Sequence, residues 1–243
     1  MASTASPPAP IKVKTGVAPL RAGQGYSFWL RRLQSLTGII PIGAFLVEHY
    51  ISNSEAAKGP VAYNATVKFL NSLPFVPLLE WGFIFLPILY HGLYGLWVWY
   101  RGETNVGDYP WVGNWMYTAQ RWTGGIAFVY IFYHTWTMRF TGVHLGTEPD
   151  ASFNKVFNAF YGHPWVVVFY FLAVFAASWH FAYGIWLFCA KWGITTGTLA
   201  RRRLGYVCLL IGLGMALLGV YSMLGFLRYS GVTHGTSFAW LQH

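Results

Sequence analysis

The sequence predicts an all-α integral membrane protein built on five transmembrane helices, and three observations predict it. Hydrophobic residues make up 55% of the 243-residue chain, aromatic residues 20% and charged residues only 9%, against the quarter charged that soluble domains usually carry. Five apolar segments, roughly 30–52, 76–100, 120–140, 164–190 and 204–227, each approach or exceed the about 20 residues a helix needs to cross the hydrocarbon layer. The sixteen Lys and Arg against seven Asp and Glu stand at the ends of those segments, not in one aromatic-laced stripe, so a nucleic-acid partner is excluded.

Residues 1–26 are rich in Ala, Ser, Pro and Gly with Lys12, Lys14 and Arg21, and they lack the apolar core of a secretory signal. They are expected to form a flexible cytoplasmic arm, followed by a transmembrane domain over 27–228 and an outer C-terminal tail over 229–243. The first four segments contain His49, His91, His134 and His180 in turn. The fifth has no histidine but carries Gly212, Gly214, Ala216, Gly219 and Gly225, a composition suited to close helix packing. Cys189 and Cys208 lie in or beside apolar stretches without a C-x-x-C motif, which points to two buried structural thiols.

Charge sets the orientation. With the N-terminus inside, Lys12, Lys14, Arg21, Arg31, Arg32, Arg101, Arg121, Lys191 and Arg201 to Arg203 fall on the inner side, and Lys58, Lys68, Arg139, Lys155 and Arg228 outside. That asymmetry satisfies the positive-inside rule with the C-terminus outside.

His144, His163, His234 and His243 fall in loops, at a segment edge or at the C-terminus, where a solvated side chain is the simple explanation. The other four sit inside spans, where an unpartnered imidazole costs several kcal/mol, on the order of a lost buried hydrogen bond. Their depths group them. His91 is ten residues from Arg101 and His180 eleven from Lys191, both about 15 Å above the inner boundary at ~1.5 Å per residue. His49, seventeen residues from Arg32, and His134, thirteen from Arg121, lie about 20–25 Å from that boundary by the same rise. Two levels of two histidines imply two bis-histidine sites.

An internal repeat links the lower pair: His91 to Trp97 and His180 to Trp186 share H-x-x-Y-G-[LI]-W. Gly95 and Gly184 follow each histidine by four residues on the same helical face, where a missing side chain leaves room for a flat macrocycle or for close helix packing. Two neutral imidazoles with no acid or thiolate beside them suit the axial positions of haem iron, and a bare Zn or Cu site would want more protein ligands. Arg31, Arg32 and Arg121 at inner ends, or Arg139 and Lys58 outside, are available to haem propionates, though each also serves topology.

These residues resemble a known family, the single-polypeptide, five-helix dihaem cytochrome b subunits of succinate:quinone oxidoreductases. The resemblance spans Phe28 to Arg203 and rests on R-R-L-Q-S-L-T-G-I-I-P-I-G before His49, N-S-L-P-F before the second span, F-L-P-I-L-Y-H-G-L-Y-G around His91, N-W-M-Y-x-x-Q-R-W-T-G before His134 and S-W-H-F-A-Y-G-I-W around His180. It implies two haems b, His49 with His134 binding the distal one and His91 with His180 the proximal one. It also implies an FAD flavoprotein and an iron–sulfur subunit on the cytoplasmic side, a membrane quinone such as menaquinone as redox partner, and the plasma membrane of a prokaryote as location. The dicarboxylate chemistry would then belong wholly to the partner subunits.

For quinone chemistry, Glu48 beside His49 and Glu80 at the start of the second span could each exchange protons, and Arg32 and Ser35, three apart on one helical face, could reach a quinone oxygen or a propionate. Where some dihaem fumarate-reducing relatives carry a glutamate, two residues before the fourth-span histidine, this chain has Ser178. Two other readings stand beside this one: the cytochrome b anchor of another quinone-linked dehydrogenase, and a haem-free membrane protein in which the histidines relay protons.

Overall fold

The structure is a computed structural model that describes residues 24–102, 105–142 and 147–229, and every regular element among them is a helix. Most of the expected N-terminal arm, the tail beyond Tyr229, and His144, His234 and His243 lie outside the described residues.

Prolines set where several helices begin and break. The first span is α1 (Gln24–Ile39) and α2 (Pro41–Ser54). Ile40 N–H still bonds Leu36 O at 2.9 Å and Ala44 N–H bonds Ile40 O at 3.1 Å, but Pro41 has no N–H for the Thr37 carbonyl, so the helix breaks there. A 3-10 turn (Glu55–Lys58) leads into the short helix α3 (Pro60–Asn71). The second span runs through α4 (Val76–Leu79), a π-helical turn (Glu80–Phe85) and α5 (Leu86–Tyr100).

The third long helix is α6 (Val112–Thr135), ending in a second π-helical turn (Trp136–Phe140). It starts eight residues before the expected 120, because Asn114, Thr118, Gln120 and Arg121 lower the hydropathy of its first turns. A 3-10 turn (Pro149–Ala151) and α7 (Ser152–Phe160) follow, then α8 (Pro164–Lys191) and α9 (Thr198–Leu227). Helix α8 closes with Gly193 in the left-handed region at φ +73° and Ile194 N–H on Cys189 O at 2.9 Å, a Schellman closure that needs glycine at that position. Helix α9 begins six residues before the expected 204, so Arg201 to Arg203 lie in its first turns, where long stems can carry the charges back to the interface.

Among the described residues, four helices are long and apolar enough to cross a membrane: 27–58, 76–100, 164–191 and 198–227. The polar start of α6 leaves it outside that set. Val129, Phe132, Leu210 and Leu217 all project outward and exposed, an apolar surface that lipid covers.

Helix α9 packs on α8 and α2 through its small residues. A Cβ added at Gly212 would sit 3.0 Å from Ala182 Cβ, one at Gly219 2.6 Å from Val174 Cγ1, and one at Gly225 2.5 Å from Ala57 N. The tight core lies at the end of the bundle that holds α3 and α7, where Tyr50, Phe153, Phe160, Tyr170, Val174 and Phe226 are buried together. Asn64 fastens α3 to α7: its amide donates to Asp150 O at 2.6 Å, and its carbonyl oxygen accepts the Phe153 N–H at 2.9 Å.

Candidate functional site

The four mid-span histidines come together two by two. His91 of α5 faces His180 of α8 with ring centroids 6.1 Å apart at 89°. His49 of α2 faces His134 of α6 at 5.7 Å and 75°. An ion held between two imidazole nitrogens at about 2 Å each, with each ring centre about 1.1 Å further out, sets the centroids about 6 Å apart. Both spacings have room for one ion. No group of three or more His, Cys, Asp or Glu converges on an ion among the described residues, so the remaining ligands would have to come from a non-protein group such as a macrocycle. All four histidines are only half-buried; they border the space between spans and do not fill the core.

The His91–His180 pair, expected from the sequence to be the inner one, rests on two copies of one seat that hydropathy and histidine spacing do not reveal: Q-x-x-T-G, at Gln34 to Gly38 in α1 and at Gln120 to Gly124 in α6. His91 Nδ1 lies 2.8 Å from Gln34 O, and His180 Nδ1 lies 3.0 Å from Gln120 O. A carbonyl only accepts, so each Nδ1 carries its hydrogen and each Nε2 is left to bind. Each glutamine amide reaches back to the main chain of the same histidine, Gln34 Nε2 to His91 O at 3.5 Å and Gln120 Nε2 to His180 O at 3.0 Å. The glycine makes space for the ring: a Cβ on Gly124 would stand 2.7 Å from His180 Cε1, and one on Gly38 would stand 2.8 Å from His91 Nδ1. The signal stands in the sequence as the repeated Q-x-x-T-G, but it lies in α1 and α6, on other helices than the two histidines it serves.

In the other pair, expected to be the outer one, His134 Nδ1 meets the Tyr170 hydroxyl at 3.0 Å, Tyr130 stacks on the same imidazole at 5.3 Å and 19°, and His49 packs against Phe45 at 5.2 Å.

The other expected residues divide into several kinds. The space expected for a macrocycle at Gly95 and Gly184 holds the seat amides: a Cβ there would meet Gln34 Nε2 at 3.1 Å and Gln120 Nε2 at 3.7 Å. The Arg32 guanidinium lies over Phe28 at 4.9 Å and over Trp192 at 4.8 Å. Arg31 is exposed, with its carbonyl accepting from Lys191 Nζ at 2.6 Å, and Ser35 is half-buried beside Gln34. Arg121 lies over the Tyr117 ring at 4.1 Å and donates to its hydroxyl, yet its Nη1 is buried with no partner, as are Tyr94 Oη and Trp179 Nε1. Arg121 adjoins Gln120, Trp179 adjoins His180 and Tyr94 lies one helical turn after His91, and such orphaned donors suit the carboxylates of a bound group.

Glu48 lines an apolar groove of about 940 Å³ with Gly43, Val47, Ile51, Phe69 and Phe181. Glu80 is held by Arg139, Nη2 to Oε2 at 2.8 Å, so the two π-helical turns are clamped to each other. Lys155 caps the end of the third span through Met138 O at 2.9 Å and Thr141 O at 2.7 Å. Desolvation and the nearby Arg139 push its ammonium below the ordinary lysine range.

Four membrane-length helices, with four histidines that face each other two by two, define a polytopic membrane protein. Residues 103–220 match the model of the succinate dehydrogenase/fumarate reductase transmembrane subunit family. The succinate dehydrogenase cytochrome b558 subunit of Bacillus subtilis (strain 168) is 36% identical over 199 residues, covering 82% of this chain and 96% of that protein. The chain belongs to this family of cytochrome b membrane subunits of succinate dehydrogenase and fumarate reductase.

Proposed function

We propose that this chain is a five-span, dihaem cytochrome b anchor of a succinate:quinone oxidoreductase, carrying electrons between a membrane quinone, menaquinone as the first candidate, and flavoprotein and iron–sulfur subunits on its cytoplasmic side. The observation that carries the proposal is the pairing of His49 with His134 and His91 with His180 at centroid distances of 5.7 and 6.1 Å.

Five spans are supported by the length of α6 with its π-helical end: the 29 residues from Val112 to Phe140 extend about 43 Å at 1.5 Å each. The basic inner flanks support an N-terminus inside and a C-terminus outside, in the plasma membrane of a prokaryote.

When bound, haem b supplies a reversible one-electron change at its iron. The histidines would hold that iron from both faces, and the Q-x-x-T-G carbonyls fix the inner rings in the tautomer that offers Nε2. Arg121 Nη1 and Tyr94 Oη, buried without partners, would take propionate oxygens. Glu48 is the better placed carboxylate for quinone proton exchange, since it opens onto an apolar groove, whereas Glu80 is tied to Arg139.

Pyridine haemochrome analysis of the detergent-purified complex tests the proposal: two haems b per copy of this chain are expected. One haem, or none, defeats it.

A further inference from the structure

The hydrogen bonds to the histidine rings differ between the two levels. His91 and His180 each point Nδ1 at a main-chain carbonyl at 2.8 and 3.0 Å, a partner that no side-chain substitution removes directly, and the Thr123 hydroxyl stands further from His180 Nδ1 at 3.5 Å. His134 instead points Nδ1 at side-chain hydroxyls, Tyr170 at 3.0 Å and Tyr130 at 3.4 Å.

The Tyr170 ring needs no hydroxyl to stay in place. It is 5% exposed, and it meets the Phe160 and Tyr130 rings edge-on, each with centroids 4.9 Å apart. The hydroxyl is thus a polar atom delivered to the imidazole by apolar packing. A hydroxyl can donate or accept, unlike a carbonyl. For His134 to turn Nε2 toward His49 and an ion, Nδ1 must carry the hydrogen and Tyr170 must accept it. The tyrosine's own hydrogen then points away from the imidazole.

Resting on the dihaem reading, we propose that the Tyr170 hydroxyl is a positioning residue for the outer centre. It fixes the His134 tautomer and, by accepting Nδ1–H, makes that imidazole a stronger electron donor to iron. A stronger donor favours the ferric state, so deleting the acceptor moves the outer midpoint potential upward.

The test is Tyr170→Phe in the complete membrane complex, which keeps the packed ring and removes one oxygen. Phe160→Leu is the control, because it loosens the same packing without touching the hydrogen bond. Haem content, a redox titration and low-temperature EPR are read on both variants. The expected result is a positive shift of the outer midpoint and a moved outer low-field EPR feature in Tyr170→Phe, with the inner centre stationary and Phe160→Leu close to wild type. Loss of the outer haem alone in Tyr170→Phe, with both haems kept in Phe160→Leu, also supports the proposal. An outer centre unmoved in Tyr170→Phe, or moved equally by Phe160→Leu, overturns it. A wild-type complex without haem defeats the dihaem reading instead, so the two failures are distinguishable.

Discussion

Gly124→Ala is the substitution that most directly probes the inner seat. The new methyl would stand 2.7 Å from His180 Cε1 and 3.1 Å from its Nδ1, where ordinary contact begins near 3.4 Å. The ring must therefore retreat by about 0.7 Å, several times the about 0.2 Å tolerance of a metal–ligand bond. The same movement stretches the 3.0 Å bond from Nδ1 to Gln120 O beyond useful length. Overpacking costs about 1–3 kcal/mol and the lost hydrogen bond about 0.5–1.5 kcal/mol. Together these come to roughly 2–4 kcal/mol, or about 30- to 1000-fold weaker retention of the inner ligand set. Haem per complex by pyridine haemochrome, with EPR of the inner centre, reads the effect, and Gly38→Ala should repeat it at His91. Gly214→Ala is the control, because a Cβ there meets nothing within 4 Å. A Gly124→Ala complex with two haems and an inner centre unmoved in spectrum and potential would refute the seat.

Three further outcomes are expected. Replacing His91 or His180 by Leu should remove the inner haem, and replacing His49 or His134 the outer, each lowering the count from two to one by pyridine haemochrome; a single variant that keeps both haems contradicts the ligand assignment. Glu48→Gln should slow quinone turnover while haem reduction by succinate persists, whereas Glu80→Gln should spare turnover and lower thermal stability by up to about 1 kcal/mol, the scale of a half-exposed ion pair; reversed effects on turnover would exchange the two roles. Gly225→Ala should destabilise the outer end by about 1–3 kcal/mol through overpacking, because its Cβ would stand 2.5 Å from the Ala57 backbone; an unchanged melting temperature would show that this helix contact yields freely.

The helical class and the membrane-spanning length of four elements were legible because bilayer thickness forces long apolar runs, and such runs are local in sequence. The small residues of the fifth segment were legible for the same reason: Gly212, Gly219 and Gly225 do face neighbouring helices, whereas Gly214 does not. The true start of α6 was hidden because its first turns carry Asn114, Thr118, Gln120 and Arg121, which a hydropathy reading treats as loop. The break at Pro41 was written in the sequence, yet its effect, a Thr37 carbonyl that lacks its usual N–H donor inside one span, depends on the helix continuing on both sides.

Side-chain partners were less legible than elements. Gln34 and Gln120 act mainly through their carbonyls and their reach to another helix, neither of which leaves a hydropathy signal. The pairing of Glu80 with Arg139 joins residues 59 apart in the chain and becomes visible only once the second and third spans lie side by side. Tyr170 passes for one more apolar position in a buried helix until the fold sets its hydroxyl beside His134.

The most direct test of the central claim is a difference spectrum of the purified complex, reduced with succinate and then with dithionite. The proposed function predicts two b-type haems per copy of this chain, and succinate, through the partner subunits, should reduce at least the inner one. Haems that respond to dithionite but never to succinate, or a colourless complex, would contradict it.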